Sequence, residues 1–103
     1  AQKAAEKALR KACDGEDAGA LRAAMETAQV QGVAADQLEQ AGKRLKVLEA
    51  LAAVRQAEAS GDMAALQRTI KVALDLGVKP EKIRGPQQAL DRLEEEAEAA
   101  RLA

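Results

Sequence analysis

The sequence matches itself when it is shifted by 45 residues, and this duplication limits the folds open to the chain. The shift places residues 17–52 on residues 62–97. Identical residues fall at Asp17/Asp62, Ala20/Ala65, Leu21/Leu66, Ala28/Ala73, Gly32/Gly77, Val33/Val78, Leu45/Leu90, Leu48/Leu93, Glu49/Glu94 and Ala52/Ala97, with conservative pairs at Met25/Ile70 and Leu38/Ile83. Matches at caps, turns and apolar positions indicate a repeated structural unit.

Each copy opens with a pattern typical of a short helix. In residues 18–31, Leu21, Met25 and Ala28 recur at helical spacing, and residues 63–76 repeat that pattern. Asp17 precedes the first short helix as a predicted N-cap, and Gly32 follows it where a left-handed C-cap is expected. In the second copy, Asp62 is the predicted N-cap of the short helix and Gly77 is its predicted C-cap.

A long helix is predicted to follow each short one. Residues 35–59 carry apolar residues on two faces, which predicts packing between two neighbours. In the second copy, Gly85-Pro86 interrupts the pattern. Because proline lacks an amide donor, we expect a short turn over 80–84, a helix that begins near Pro86, and a kink there. Short connections favour antiparallel neighbours.

The first helix, residues 2–13, matches the end of the long helix, since the same shift lays residues 5–12 on 50–57. The predicted organisation is one helical-repeat domain: 1–14 as the end of a preceding repeat, 17–59 as repeat 1 and 62–103 as repeat 2. The predicted fold is all-α, an up-and-down bundle or short α-solenoid. The predicted core residues are Leu9, Leu21, Met25, Leu38, Leu45, Leu48, Leu51, Leu66, Ile70, Leu74, Leu90 and Leu93. Ala8, Ala52, Ala97 and Ala100 are predicted to extend these apolar stripes.

Composition excludes several kinds of site. Among the 103 residues there is no His, Trp, Tyr or Phe, so the commonest general base and the usual platforms for stacking bases are missing. The formal net charge of −1 combines 16 basic and 17 acidic residues, which argues against a nucleic-acid surface. No stretch is apolar enough for a membrane span. The single Cys13 predicts an intracellular, reducing location.

Carboxylates cluster in two places, and neither predicts a metal site. Asp14, Glu16 and Asp17 surround Gly15 but lack the twelve-residue pattern of a calcium loop, so helix capping is favoured. The acidic run contains Glu94, Glu95, Glu96 and Glu98. These side chains point in several directions on a helix, which favours a solvated face over an acidic patch for a basic partner.

Basic residues and the cysteine also favour structural roles. The basic clusters are Lys3, Lys7, Arg10 and Lys11 on the first helix, and Lys43, Arg44 and Lys46 on the third. Without large apolar neighbours, a solvated face is favoured over a site for anionic lipid or phosphate. Cys13 is predicted to be a small buried residue because Asp14 opposes any activation of its thiol by Lys11. No nucleophile–base pair is found, so the chain is predicted not to be an enzyme and to hold no cofactor.

The recurring pattern is Leu, Ala seven residues later, Gly-Val, and a helix with Leu-x-x-Leu, at 21–48 and again at 66–93. It resembles the Ala-rich helical-hairpin repeats found as modules in large multidomain proteins of algae and other protists. The resemblance implies a spacer or docking role and no catalytic residues. The 45-residue period suits a HEAT-like or armadillo-like unit better than a tetratricopeptide repeat.

The expected function is a non-catalytic structural or protein–protein interaction module, a piece of a longer protein with a protein partner. The absence of an initial Met and the start within a helical pattern favour an excised fragment. Val30, Val72 and Leu76 lie off the main stripes and either complete the core or contact a partner. The alternative is a helical carrier or regulatory domain that binds an apolar small molecule or peptide between its helices.

Overall fold

The computed structural model describes residues 2–103, with side chains from Lys3 onward, and confirms the all-α fold class. Over this range five α-helices occur with one 3₁₀-helix and no strand. The helices are α1 (Gln2–Asp14), α2 (Ala18–Val30), α3 (Ala35–Ser60), α4 (Met63–Asp75) and α5 (Arg84–Leu102), with the 3₁₀-helix at Pro80–Ile83. No helix in this range is both long and apolar enough to cross a membrane.

The chain divides into two compact units, one ending at Glu49 and the other beginning at Ala50. The first unit contains α1, α2 and the first part of α3, and the second contains the rest of α3 with α4 and α5. The 45-residue shift that carries residues 5–49 onto 50–94 therefore carries one unit onto the other. In the second unit, the end of α3 takes the position that α1 has in the first unit, and α5 takes that of the start of α3.

Both short helices begin with the predicted aspartate caps. The side chain of Asp17 accepts a hydrogen bond from the Ala20 amide at 3.1 Å, and that of Asp62 accepts one from the Ala65 amide at 3.2 Å. Each aspartate thus satisfies one of the four amides that a helix leaves without an internal acceptor.

Both short helices also end in the same way, which confirms the predicted glycine caps. Gly32 and Gly77 have φ of 76° and 95°, in the left-handed region that favours glycine. The Val33 amide donates to the Ala28 carbonyl at 3.0 Å, and the second copy repeats this bond from Val78. This is the Schellman motif, in which an apolar residue after the glycine packs on the last turn. Val33 and Val78 are buried, so the repeated Gly-Val pair ends the helix and adds to the core.

The predicted core is confirmed in part. Six of its residues are buried: Leu9, Leu21, Leu48, Leu66, Ile70 and Leu90. Five others are only partly buried: Met25, Leu38, Leu45, Leu51 and Leu93. The prediction that Leu74 belongs to the core is wrong, because this residue is 40% exposed. The alanines Ala8, Ala52, Ala97 and Ala100 are also exposed, so those stripes are narrower than predicted.

The remaining buried residues lie outside the predicted core set, although several of them, such as Ala28 and Val54, already belonged to the apolar pattern of the helices. Val33, Val54, Val78 and Ile83 are buried, and Val54 and Ile83 are among the most completely enclosed side chains. Small residues complete the packing, among them Ala28, Ala41 and Ala73, each with no exposed surface. Alanine at these positions lets helix backbones approach closely.

The break before α5 differs from the expected kink. The predicted turn is the 3₁₀-helix Pro80–Ile83, and α5 begins at Arg84. Pro86 is therefore the third residue of α5, within the first turn, where amides have no partner inside the helix. Proline removes no helical hydrogen bond there, so the reason for expecting a kink at Pro86 does not apply.

Candidate interaction surfaces

The two units use different faces of their long helices. In the first unit, α3 buries Ala41 and Leu48 while Leu38 and Leu45 are only partly buried. In the second unit the pattern is reversed. Ile83 and Leu90, the counterparts of Leu38 and Leu45, are buried, whereas Pro86 and Leu93 are only partly buried. An offset of three residues corresponds to a rotation of about 60° around a helix.

This difference leaves an open apolar groove in the first unit. The α2–α3 groove is a cleft of about 320 Å³, lined by Met25, Leu38 and Leu45 at its floor and by Arg22, Glu26 and Gln29 at its rim. The three floor residues correspond to Ile70, Ile83 and Leu90, which are all buried in the second unit. The groove therefore exposes side chains whose counterparts are core residues.

An ion pair joins the two helices that form the groove. Arg22 NH2 on α2 lies 2.9 Å from Glu49 Oε2 on α3. Both side chains are about half exposed, so water screens the attraction and the pair contributes little to stability. The pair places one positive and one negative side chain beside the groove.

The second unit exposes apolar side chains of its own on α4. Val72 and Leu76 are 50% and 40% exposed and lie four residues apart, hence on one face of the helix end. We call this pair the α4 edge. Their counterparts in the first unit are Thr27 and Gln31, which are polar. The edge is therefore a feature of one copy and not of the repeated framework.

Besides Leu74, two further large apolar side chains are exposed singly among the residues that the structure describes. Val30 at the end of α2 is 83% exposed, and Leu102 near the end of α5 is also largely exposed. Isolated exposed apolar residues are normal in folded proteins. Val30, like Val72 and Leu76, is exposed, so none of these three residues completes the core.

Cys13 lies near the end of α1 and is partly buried. Burial raises the pKa of its thiol, and the neighbouring Asp14 carboxylate raises it further, while the Arg44 guanidinium lowers it. The balance keeps the thiol protonated, the opposite of what a reactive cysteine requires. The opposing influence of Asp14 agrees with the sequence prediction, but the cation is Arg44 and not Lys11.

Arg44 forms hydrogen bonds with the backbone at the carboxyl end of α1. Its Nε donates to the Cys13 carbonyl at 3.0 Å, and its NH2 group donates to the Gly15 carbonyl at 3.1 Å. It therefore satisfies carbonyls at the carboxyl end of α1, where a positive charge is also favourable. Sequence reasoning missed this contact because Arg44 is 31 residues from Cys13.

The turn between α3 and α4 is stabilised by a different side chain from the turn between α1 and α2. The counterpart of Arg44 is Ala89, which has no polar group. Between α3 and α4, the Ser60 hydroxyl donates to the Ala57 carbonyl at 2.9 Å and accepts from the Asp62 amide at 3.4 Å. The two copies thus share their caps but differ in how the preceding turn is fixed.

The acidic and basic clusters lie on the surface. Asp17 caps α2, Asp14 and Glu16 are exposed, and within residues 2–103 no three potential metal ligands come together. The acidic run on α5 is exposed, with Glu98 paired to Arg101. The basic residues of α1 are exposed as well, namely Lys3, Lys7, Arg10 and Lys11. In the basic cluster of α3, Lys43 and Lys46 are exposed, whereas Arg44 is partly buried.

The fold and surfaces define a class, an all-α protein built from a duplicated helical unit. No protein-family model, curated protein or solved structure matches the chain.

Proposed function

We propose that the chain is a non-catalytic structural or protein–protein interaction module, a spacer or docking segment of a longer protein. The observation that carries this proposal is the α4 edge. Val72 and Leu76 are adjacent apolar side chains that remain about half exposed. Neighbouring exposed apolar residues are typical of surfaces that contact other proteins.

The comparison between the copies shows that the fold does not need this edge. Both short helices have the same aspartate cap and the same Gly-Val end. The first copy forms them with Thr27 and Gln31 at the positions of Val72 and Leu76. A feature that the framework can do without is best explained by an interaction. The free thiol of Cys13 suits an intracellular, reducing location for this module.

The test replaces the edge with the residues of the other copy. The double variant Val72→Thr, Leu76→Gln should keep the helix content and thermal midpoint of the wild type. Affinity capture with the wild-type chain should recover a protein that the double variant does not recover. Val30→Thr, an equally conservative change at an exposed position outside the edge, is the matched control. Capture that does not depend on the edge would contradict the proposal.

The α2–α3 groove supports a second candidate, a carrier or regulatory domain for an apolar small molecule or peptide. Its volume of about 320 Å³ lies at the lower end of the range for ligand sites, and its floor is apolar. Nile red, a neutral apolar dye, should then bind with saturable fluorescence enhancement. Leu45→Lys should abolish that enhancement, whereas Val30→Lys should not. Weak, non-saturable binding by the wild type would exclude this function.

A further inference from the structure

We propose that the α4 edge of one molecule docks into the α2–α3 groove of a second copy of this chain. The inference rests on the proposed interaction function and names the partner. The α4 edge is an exposed apolar projection and the α2–α3 groove is an exposed apolar recess, and the two belong to different units. Such a contact is head to tail, and it joins unlike surfaces of two identical chains.

Each of the two surfaces exists in only one copy of the repeat. The groove floor of Met25, Leu38 and Leu45 is only partly buried, whereas the equivalent residues of the second unit are core residues. The edge of Val72 and Leu76 is apolar, whereas the first unit has polar residues there. The two departures from the repeat are thus a recess and a projection of matching apolar character.

The spacing of the apolar side chains is compatible with this contact. Leu38 and Leu45 are seven residues apart, which separates them by about 10 Å along α3. Val72 and Leu76 are four residues apart, or about 6 Å along α4. The pair on α4 is therefore shorter than the pair of leucines, so both of its side chains can contact the floor formed by Leu38, Leu45 and Met25. The recess is an open trough of the kind in which a helix face lies.

The charged residues beside the two surfaces are complementary. On α2, Arg22 and Glu26 are four residues apart on the groove rim. On α4, Lys71 and Asp75 are four residues apart and lie together on one side of the edge. If α4 lies antiparallel to α2, Lys71 stands opposite Glu26, while Asp75 stands opposite Arg22, which also pairs with Glu49 within its own chain. Opposite charges then face each other at both places, which favours this orientation over the parallel one.

The surfaces involved are small, so the association should be weak and concentration dependent. Sedimentation equilibrium of the whole chain from about 10 µM to about 1 mM should show the weight-average mass rising with concentration. Val72→Thr, Leu76→Gln and, separately, Leu45→Lys should each stay monomeric over the same range. Val30→Thr should associate like the wild type. A wild-type chain that stays monomeric at the highest concentration overturns the proposal.

A mixing experiment tests which surfaces meet. The edge variant retains an intact groove and Leu45→Lys retains an intact edge, so an equimolar mixture should form 1:1 dimers and nothing larger. A mixture that behaves as the sum of two monomers overturns the proposed pairing. If Leu45→Lys does not fold, two single variants at exposed positions, Glu26→Lys and Lys71→Glu, replace it in the mixing experiment. Each single charge change should weaken association, and mixing the two variants should restore it at the paired contact.

Failure of this inference differs from failure of the proposed function. If the chain is monomeric but edge-dependent capture of a different protein is observed, the self-association is wrong and the interaction module stands. If the chain is monomeric and capture does not depend on the edge, both are wrong.

Discussion

The most direct test of the core on α4 compares two identical changes in one helix. Leu66→Ala and Leu74→Ala both lie in α4 and remove the same three carbons, but Leu66 has no exposed surface and Leu74 is 40% exposed. Both belong to the second unit. The change in helix propensity is the same at both positions, so any difference in stability reports burial.

The expected magnitudes follow from these exposures. Losing three buried carbons costs about 2.4 kcal/mol of transfer free energy at Leu66, and the cavity left behind brings the total to about 3–4 kcal/mol. At Leu74 only about 60% of the side chain is removed from water and no closed cavity forms, which gives about 1–1.5 kcal/mol. We therefore expect Leu66→Ala to reduce the free energy of unfolding by about 2 kcal/mol more than Leu74→Ala does.

Urea unfolding followed by circular dichroism at 222 nm measures this difference. A small domain has a denaturant slope of about 1–3 kcal/mol per molar urea, so the two midpoints should differ by about 1 M. Leu76→Ala, at a second position that is 40% exposed, should resemble Leu74→Ala and provides the control. Equal losses from Leu66→Ala and Leu74→Ala would refute the argument that Leu74 lies outside the core.

Three further outcomes follow from individual contacts. Gly77→Ala should destabilise the chain by about 1–2 kcal/mol because its φ of 95° is unfavourable for alanine, whereas Gly42→Ala inside α3, where an added Cβ makes an ordinary 3.8 Å contact with Met25 Cε, should be neutral or stabilising; thermal unfolding distinguishes these signs. Asp62→Ala should cost about 1 kcal/mol by the same measurement, and Asp62→Asn should recover most of it. The raised pKa of Cys13 means that the folded chain binds its proton more tightly than the unfolded chain, so the thiol's contribution to stability is present at neutral pH and is lost as pH rises through the raised pKa of the folded state. Iodoacetamide at pH 8–9 should accordingly alkylate the folded chain more slowly than the urea-unfolded chain, and equal rates would contradict that sign.

The local part of the fold could be predicted from the sequence because it depends on neighbouring residues. Asp17 and Asp62 cap the helices that follow them, and Gly32 and Gly77 end those helices, through hydrogen bonds that span at most five residues. The chemistry of a cap is thus contained in a short segment. A duplicated pattern of such segments was enough to establish an all-α fold.

The surfaces could not be predicted, because they depend on which face a long helix turns toward its neighbours. The sequence aligns Leu45 with Leu90 as identical residues, yet one lines an open groove and the other is buried. Periodicity identifies a stripe but does not fix its rotation within a step of three or four residues. That rotation is set by packing between distant segments, as is the contact of Arg44 with the Cys13 carbonyl.

The rotation can be measured directly with single cysteines at aligned positions. In a Cys13→Ala background, Leu45→Cys and Leu48→Cys probe the first unit, while Leu90→Cys and Leu93→Cys probe the second. Leu45 and Leu93 are partly exposed but Leu48 and Leu90 are buried, so the order of reactivity should reverse between the units.

A buried thiol reacts only when the surrounding structure opens, so within each unit the more exposed position should react with a disulfide reagent faster by on the order of tenfold or more. Thermal midpoints of the four variants, together with rates in urea, control for differences in stability and intrinsic reactivity. The same order in both units would show that equivalent helices present equivalent faces. If Leu45→Cys in particular reacts more slowly than Leu48→Cys, Leu45 lies in the core and not in the α2–α3 groove, and both functions assigned to the groove lose their basis.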